Sequence, residues 1–286
     1  MPESACTLCP RRCGADRAAG KGYCGAGEGI LLSKAMLHLW EEPALGKKSG
    51  AIFFGGCPLH CIFCQNYKIS SGERGKIVSS EELAAICRDL RAQGADNLDL
   101  VTPMHFAPRI APAVASVKEE LGVPVIVNTG GYDSREQIDC FEGVADIYLP
   151  DYKTADPSLA KEICRAPDYP VVAERAIEAM LAQVGRPVYG EDGFLRKGVI
   201  VRHLVLPGHR SESVAALRRL RELFSPGEIL LSLMSQYTPI PGMQKPFNRR
   251  ITSFEYESVL GEADRLGFDG FCQERSSAKE EYTPEF

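Results

Sequence analysis

One stretch of the chain, residues 51–66, decides both its fold and its chemistry: its sequence is AIFFGGCPLHCIFCQN. The apolar run at its start predicts a short buried β-strand, which two glycines end. Cys57, Cys61 and Cys64 follow at once, with the spacing C-x3-C-x2-C. The stretch therefore predicts a buried strand that delivers three thiols into one short loop.

Three thiolates in one loop can hold three irons of a [4Fe–4S] cluster, and the usual fourth cysteine is missing nearby. One iron would then keep an open coordination position for substrate, by the logic of catalytic zinc sites. Phe63 would shield the cluster from water. The alternatives are a zinc site or three buried free thiols. His60 is adjacent, but it lies inside the loop, where tetrahedral closure around zinc is awkward.

Beyond this loop, strand and helix patterns alternate along the chain. A helix is predicted over Ser79–Gly94, because Ser79 and Glu82 have the spacing of a capping box. Gly198–Leu206 predicts one of several nearly continuous apolar strands. Such alternation predicts an α/β fold with parallel strands and right-handed crossovers. We predict a partial (β/α)6 TIM-like barrel, with an open doubly wound sheet as the alternative; both bind ligands at the C-terminal ends of their strands.

A second group of cysteines lies in the Gly-rich N-terminal segment and comprises Cys6, Cys9, Cys13 and Cys24. Four thiolates suit structural zinc or a second iron–sulfur cluster, and sulfur ligands alone do not decide between the two. The segment has few apolar residues, so we expect it to need a metal to fold. We therefore divide the chain into a metal-binding lobe (1–48), the partial barrel (49–235) and a C-terminal extension that packs on the barrel (236–286).

The composition limits the class of protein. The 286 residues are 44% apolar and 25% charged, which excludes a disordered chain. The net charge of −5 argues against a general nucleic-acid binder. No apolar run is long enough to span a membrane, and the first twelve residues lack the apolar core of a secretory signal. With 11 cysteines, such a chain is expected in the reducing cytoplasm. The four isolated cysteines, Cys87, Cys140, Cys164 and Cys272, are predicted core residues.

The three-cysteine loop after a first barrel strand resembles the radical S-adenosylmethionine (SAM) superfamily, and in particular the pyruvate formate-lyase activating enzyme group. The likeness covers most of residues 50–235. It is carried by Val127-Asn128-Thr129-Gly130, Leu149-Pro150-Asp151-Tyr152-Lys153 and the strand from Val201 to Pro207-Gly208. The N-terminal C-x2-C-P-R-x-C arrangement and the Ser-x3-Glu-Tyr-Thr-Pro tail at residues 277–284 are similar to a less characterised activase-like branch.

This resemblance implies a [4Fe–4S] cluster on the three loop cysteines, with SAM bound to its open iron. An electron from a donor such as flavodoxin or ferredoxin would split SAM, and the resulting 5′-deoxyadenosyl radical would abstract hydrogen from a substrate. The substrate is either a glycine of a partner glycyl-radical enzyme or, alternatively, a small molecule or peptide. A non-catalytic iron–sulfur or zinc protein is the alternative of another class, against which the open iron argues. No catalytic residue beyond the cluster ligands is assigned.

The resemblance also suggests contacts to SAM. Asn128 and Thr129 at one strand end suit the ribose hydroxyls or the carboxylate, and Asp151 and Lys153 at the next suit the methionine part. His203 is a further candidate, although it alternates with Arg202 on one strand, so that at most one of the two faces the barrel interior.

One segment departs from the family pattern. Activases carry Gly-Gly-Glu after the second strand, where it meets the SAM amino group. Here the segment is Val101-Thr102-Pro103-Met104-His105-Phe106. We expect the Thr102 hydroxyl and nearby carbonyls to take over as acceptors, with His105 assisting.

Overall fold

A computed structural model gives the structure of the protein and describes residues 5–39 and 41–272. The tail motif at residues 277–284 lies outside the described residues. Ten strands form within these ranges: β1 Ile30–His38, β2 Ser49–Phe54, β3 Lys76–Val78, β4 Asn97–Val101, β5 Val125–Thr129, β6 Ile147–Pro150, β7 Val188–Tyr189, β8 Leu195–Leu204, β9 Leu230–Met234 and β10 Gly270–Cys272. The α-helices are α1 Tyr67–Ser70, α2 Ser80–Ala92, α3 Ala107–Leu121, α4 Arg135–Asp139, α5 Pro157–Cys164, α6 Tyr169–Val184, α7 Arg210–Leu223 and α8 Ser253–Arg265.

The strands form one mixed sheet, in the order β10-β9-β8-β6-β5-β4-β2-β1-β3, with β7 paired to β8. From β2 to β10 along this path the neighbours are parallel and follow the chain order. A doubly wound sheet reverses its order at a switch point, so this alternative is wrong. Within the described residues β3 and β10 are free edges, so the sheet is open and not a closed barrel.

Three strands add antiparallel pairs that the alternation did not predict. The segment Ile30–His38 forms β1, which pairs antiparallel with β2. The short strands β3 and β7 pair antiparallel with β1 and β8. They contain three and two residues, which is too few for a periodic apolar pattern to show.

Helix α2 begins where the sequence predicts. Ser79 and Glu82 form the capping box of α2, with both reciprocal hydrogen bonds present. The Leu83, Cys87 and Leu90 side chains of that helix are buried in the main core. Cys164 is also buried as predicted, whereas the prediction of a core position for Cys272 is wrong, because this residue is exposed. Within the described residues, no helix is both long and apolar enough to cross a membrane.

The connection between β1 and β2 enters the inner face of the sheet. We call residues 41–46 the floor segment. Its 3-10 turn buries Ala44 and Leu45 against Ile126, Ile147 and Ile200. The Leu45 carbonyl accepts a 2.6 Å hydrogen bond from Asn97, the first residue of β4. The floor segment therefore fills the N-terminal end of the sheet interior and leaves the C-terminal end open.

Candidate functional site

The C-terminal ends of the parallel strands surround a cavity of about 750 Å³. Nine of the predicted site residues share it: Cys57, Cys61, Phe63, Cys64, Thr102, Asn128, Thr129, Asp151 and Lys153. They come from four segments of the chain, which the sheet brings together because its parallel strands end on one side. We call this space the central cavity.

The loop that carries the three thiols leaves β2 through Gly55 and Gly56. Gly56 has a φ of +90°, and a Cβ on it would lie 2.4 Å from the carbonyl oxygen of Cys24. The next amide, that of Cys57, donates to the same carbonyl over 2.9 Å. Only glycine permits this approach, so the N-terminal lobe packs directly on the base of the loop.

The three loop thiols are partly buried in the protein. Burial raises the pKa of Cys57 and Cys61, and it raises that of Cys64 to about 11. They would therefore be protonated at neutral pH unless a metal bound them, and binding would release protons.

The donor set of this loop fits an iron–sulfur cluster better than a single ion. Within the described part of the chain, no three His, Cys, Asp or Glu side chains converge as they would around one metal ion. A [4Fe–4S] cluster takes one thiolate per iron and so spreads its ligands. Cys57, Cys61 and Cys64 line one cavity, as the ligands of such a cluster would.

A partly buried ion pair lies beside the thiols. Lys153 Nζ lies 2.5 Å from Asp151 Oδ2, and both residues follow the C-terminal end of β6. Desolvation would lower the pKa of Lys153, but the Asp151 carboxylate and the Cys61 thiolate raise it well above its usual value. The site therefore keeps a fixed positive charge where anionic thiolates, or the carboxylate of a bound molecule, would need one.

Thr102, Asn128 and Thr129 line the wall next to this ion pair. Thr102 has a φ of +58°, which is unusual for a β-branched residue. Its amide donates to the Asn128 carbonyl over 2.8 Å. The Thr129 hydroxyl donates to Asp133 over 2.6 Å, so it is already engaged. Strained backbone is concentrated at functional sites. Here the strained residue, Thr102, belongs to the segment that departs from the Gly-Gly-Glu pattern of the activases.

The two predicted histidines lie apart from the cavity lining. His203 faces the helix layer, where its Nδ1 donates to the Tyr152 carbonyl over 2.7 Å. Its strand neighbour Arg202 is the one that lines the cavity. His105 is buried, and its Nε2 donates to the Gly55 carbonyl over 2.8 Å. Both histidines therefore support the backbone around the site.

Sequence reasoning missed the charged floor of the cavity. Glu42 accepts from Arg202 Nε over 2.6 Å and from Ser232 over 3.0 Å, and Glu41 also pairs with Arg202. Asp99 of β4 is fully buried nearby and accepts from Asn128 over 3.3 Å. An acidic residue inside the apolar strand Leu98-Asp99-Leu100 was the available signal.

The four cysteines of the N-terminal lobe lie near one another. Burial, together with the smaller effects of the charges of Cys24, Cys6 and Cys13, raises the pKa of Cys9 to about 11. Arg11 joins the lobe to the rest of the protein by donating to the carbonyls of Pro58, Cys164 and Arg165. The lobe is thus fastened to the three-cysteine loop through backbone on both sides.

Similarity to known proteins agrees with this architecture. A curated protein of Methanocaldococcus jannaschii, described as uncharacterized protein MJ0674, is 27% identical over 277 residues, which cover 92% of this chain and 75% of that protein.

Solved structures share the fold. SuiB of Streptococcus suis, bound to S-adenosylmethionine, superposes with a TM-score of 0.52 at 12% identity; the match covers 76% of this chain and 48% of SuiB, about half of its length. A domain of pyruvate-formate lyase-activating enzyme from Bacteroides vulgatus ATCC 8482 reaches a TM-score of only 0.42 at 13% identity, over 60% of this chain and 94% of that domain. The structural comparison therefore adds little support for the assignment to the activase-like branch.

The family model for the radical SAM superfamily matches residues 51–245. This range begins within β2 and includes every residue of the three-cysteine loop and of the neighbouring strand ends. The chain therefore belongs to the radical SAM superfamily and is an enzyme.

Proposed function

We propose that the protein cleaves SAM reductively and uses the radical to abstract hydrogen from a substrate held in the central cavity. The observation that carries this proposal is the joint lining of one cavity by Cys57, Cys61 and Cys64 and by the polar ends of β5 and β6. When bound, the cluster and SAM supply a one-electron cleavage that yields the 5′-deoxyadenosyl radical.

The residues of the chain would bind the cluster, position SAM and exclude water. The three thiols would hold the cluster, and Lys153, fixed by Asp151, would face the SAM carboxylate. Asn128 lies on the cavity side of β5 and offers an amide to the ribose or the carboxylate. Thr102 offers backbone and hydroxyl oxygens to the amino group where activases use Gly-Gly-Glu. Phe63, 8% exposed, packs near Tyr237 and helps to exclude water.

The direct test measures 5′-deoxyadenosine. Protein reconstituted anaerobically with iron and sulfide should release it from SAM when dithionite is added. Cys61→Ala should reduce the release by about 100-fold or more, because it removes a cluster ligand. Cys140→Ala, which changes a partly buried helix thiol, is the matched control and should retain release. Equal release from Cys61→Ala and the unchanged protein would contradict the mechanism.

Two classes of substrate remain for this chemistry. An activase-like role predicts a glycine of a partner enzyme, whereas the alternative is a small molecule or peptide; SuiB has also been solved with its precursor peptide SuiA. The charged floor of the cavity favours the second class, because a glycine loop carries no side chain to match it. Incubation with SAM and candidate glycyl-radical enzymes, followed by electron paramagnetic resonance, separates the two.

We further propose that Cys6, Cys9, Cys13 and Cys24 hold a second metal, zinc or an iron–sulfur cluster. Their short spacing along the chain and the scarcity of apolar residues around them support this site; in the structure the four thiols do not converge as ligands of one ion. Elemental analysis of the Cys57→Ala, Cys61→Ala, Cys64→Ala triple variant should still find zinc or iron. A folded, metal-free triple variant would refute the site.

The proposal also includes an electron source and a location. A one-electron donor such as flavodoxin or ferredoxin would replace dithionite, and reduction with either protein in place of dithionite tests this. The free thiols of the described cysteines favour a reducing, cytoplasmic location.

A further inference from the structure

The central cavity has two chemically different ends. Cys57, Cys61 and Cys64 line one end, and the floor segment, with Glu41 and Glu42, lines the other. The walls between them include the apolar side chains of Phe53, Val101, Leu204, Met234 and Phe271. A ligand that spans the cavity would therefore meet charge, then an apolar surface, and then the cluster loop.

The charges at the floor do not balance. The carboxylates of Glu41 and Glu42 share one guanidinium, that of Arg202. All three side chains are largely buried, with exposed fractions of 10%, 5% and 14%. His38 Nε2 lies 3.7 Å from Glu41, within ion-pair distance, and carries a charge only when it is protonated. Arg202 is thus the one permanently charged cation among these groups, facing two carboxylates.

Asp99 provides a second, independent observation, a buried carboxyl oxygen without a hydrogen-bond partner. It is 0% exposed, and its Oδ1 has no hydrogen-bond partner among the described residues. Its strand neighbour on the same face, Val101, lines the cavity, as does its hydrogen-bond partner Asn128. Burial, with the charge of Glu41, raises the pKa of Asp99 well above its usual value. If the floor had only a structural role, this buried carboxyl oxygen would be expected to have a hydrogen-bond partner.

We propose that this floor binds the cationic head, a protonated amine or a guanidinium, of a substrate whose aliphatic part lies along the apolar wall. Resting on the proposed function, this inference places a C–H bond of the aliphatic part towards the loop thiols and so defines the substrate class. An anionic head is disfavoured, because it would approach two carboxylates while Arg202 already donates its Nε and Nη2 to them.

The test uses three probes of equal length: n-hexylamine, hexan-1-ol and hexanoate. Each is titrated into anaerobically reconstituted protein with SAM but without reductant, so that no turnover occurs, and binding is followed by ligand-detected NMR. Hexylammonium should bind at least about tenfold more tightly than hexan-1-ol, and hexanoate more weakly still, since a buried charge-assisted contact separates them. Equal affinity for amine and alcohol, tighter binding of hexanoate, or no binding of the amine at millimolar concentration would overturn the proposal.

A variant then locates the contact. Glu41→Gln removes one negative charge and keeps the shape of the side chain, so it should weaken hexylammonium binding by about tenfold and change hexan-1-ol binding less than twofold. Glu120→Gln, at an ion pair on the surface with a 57% exposed side chain, is the matched control and should change neither. Unchanged amine affinity in folded Glu41→Gln would refute the assignment. If that variant does not fold, the selectivity of the unaltered protein still decides.

These outcomes are separable from those of the proposed function. Binding is measured without SAM cleavage, whereas release of 5′-deoxyadenosine is measured without a substrate. Loss of amine selectivity with intact release would remove only the substrate class. Amine selectivity without release would leave the pocket and remove the radical chemistry.

Discussion

The two cysteine groups of this protein use the same ligand atom in different surroundings. Cys57, Cys61 and Cys64 line the central cavity beside Lys153. Cys6, Cys9, Cys13 and Cys24 do not contribute to that lining. A metal held by the first group would adjoin a cavity with space for a small molecule, which the second group does not line. The difference teaches that adjoining space, more than ligand type, separates a reactive site from a supporting one.

The strongest way to break this comparison is to remove one group at a time. Replacing the loop cysteines by alanine should abolish 5′-deoxyadenosine release, about 100-fold or more, with the metal of the lobe retained. Replacing the four lobe cysteines should lower the free energy of unfolding by several kcal/mol, because the lobe loses its proposed metal. Release and urea unfolding of both variants check this. If the lobe variant kept full stability, the second group would not be a metal site.

A glycine substitution tests the contact between the two groups. Gly56→Ala would force a Cβ to within 2.4 Å of the Cys24 carbonyl oxygen. We expect a loss of about 3 kcal/mol in the free energy of unfolding, from overpacking and backbone strain together. Gly94→Ala is the matched control, since Gly94 has a similar φ of +95° but nothing within 4 Å of an added Cβ. It should cost only about 1 kcal/mol. Equal losses for the two variants in urea titrations would show that the close approach carries no energy.

Arg11 tests the same contact from the side of the lobe. Arg11→Lys keeps the charge but loses the planar group that reaches three carbonyls at once. We expect the free energy of unfolding to fall by about 2 kcal/mol. Arg12→Lys, at an exposed neighbour, should leave it unchanged. Thermal unfolding of the two variants side by side measures the difference. A similar melting temperature for both would show that the three Arg11 contacts do not stabilise the protein.

His105 gives a smaller, pH-dependent effect at this junction. Its backbone carbonyl accepts from Arg17 of the lobe, and its ring donates to Gly55 of the loop. Burial lowers its pKa to about 4, so the folded protein keeps it neutral while the unfolded chain takes up a proton below pH 6.5. Stability from this residue is therefore full above pH 6.5 and is lost as the pH falls towards 4.

The expected loss between pH 6.5 and 5.5 is about 1 kcal/mol. It is measured as the difference in unfolding free energy between the unaltered protein and His105→Gln at each pH, which cancels the contribution of other groups. A parallel pH dependence in the two proteins would contradict the buried neutral state.

Much of this arrangement follows from local sequence patterns. The strand into the three-cysteine loop and the capping box at Ser79 depend on neighbouring residues, so both are predictable. The floor of the cavity is not predictable in this way, because Glu42 and Arg202 are 160 residues apart in the sequence. The residues next to either one give no sign of that pairing. The face of β8 that carries Arg202 was likewise undetermined, since alternation places Arg202 and His203 on opposite sides without saying which side is inside.

The separation of the floor contacts along the chain has a consequence for folding. Each parallel strand from β4 onward pairs with a strand already made before it, so the sheet can grow in chain order during synthesis. Glu42, however, can form its hydrogen bonds only after Arg202 and then Ser232, 190 residues further along the chain, have been synthesised. Closing such long loops is the slow, entropically costly part of assembly. The end of the cavity formed by the earliest segment is thus fixed last, once β8 and β9 have been added.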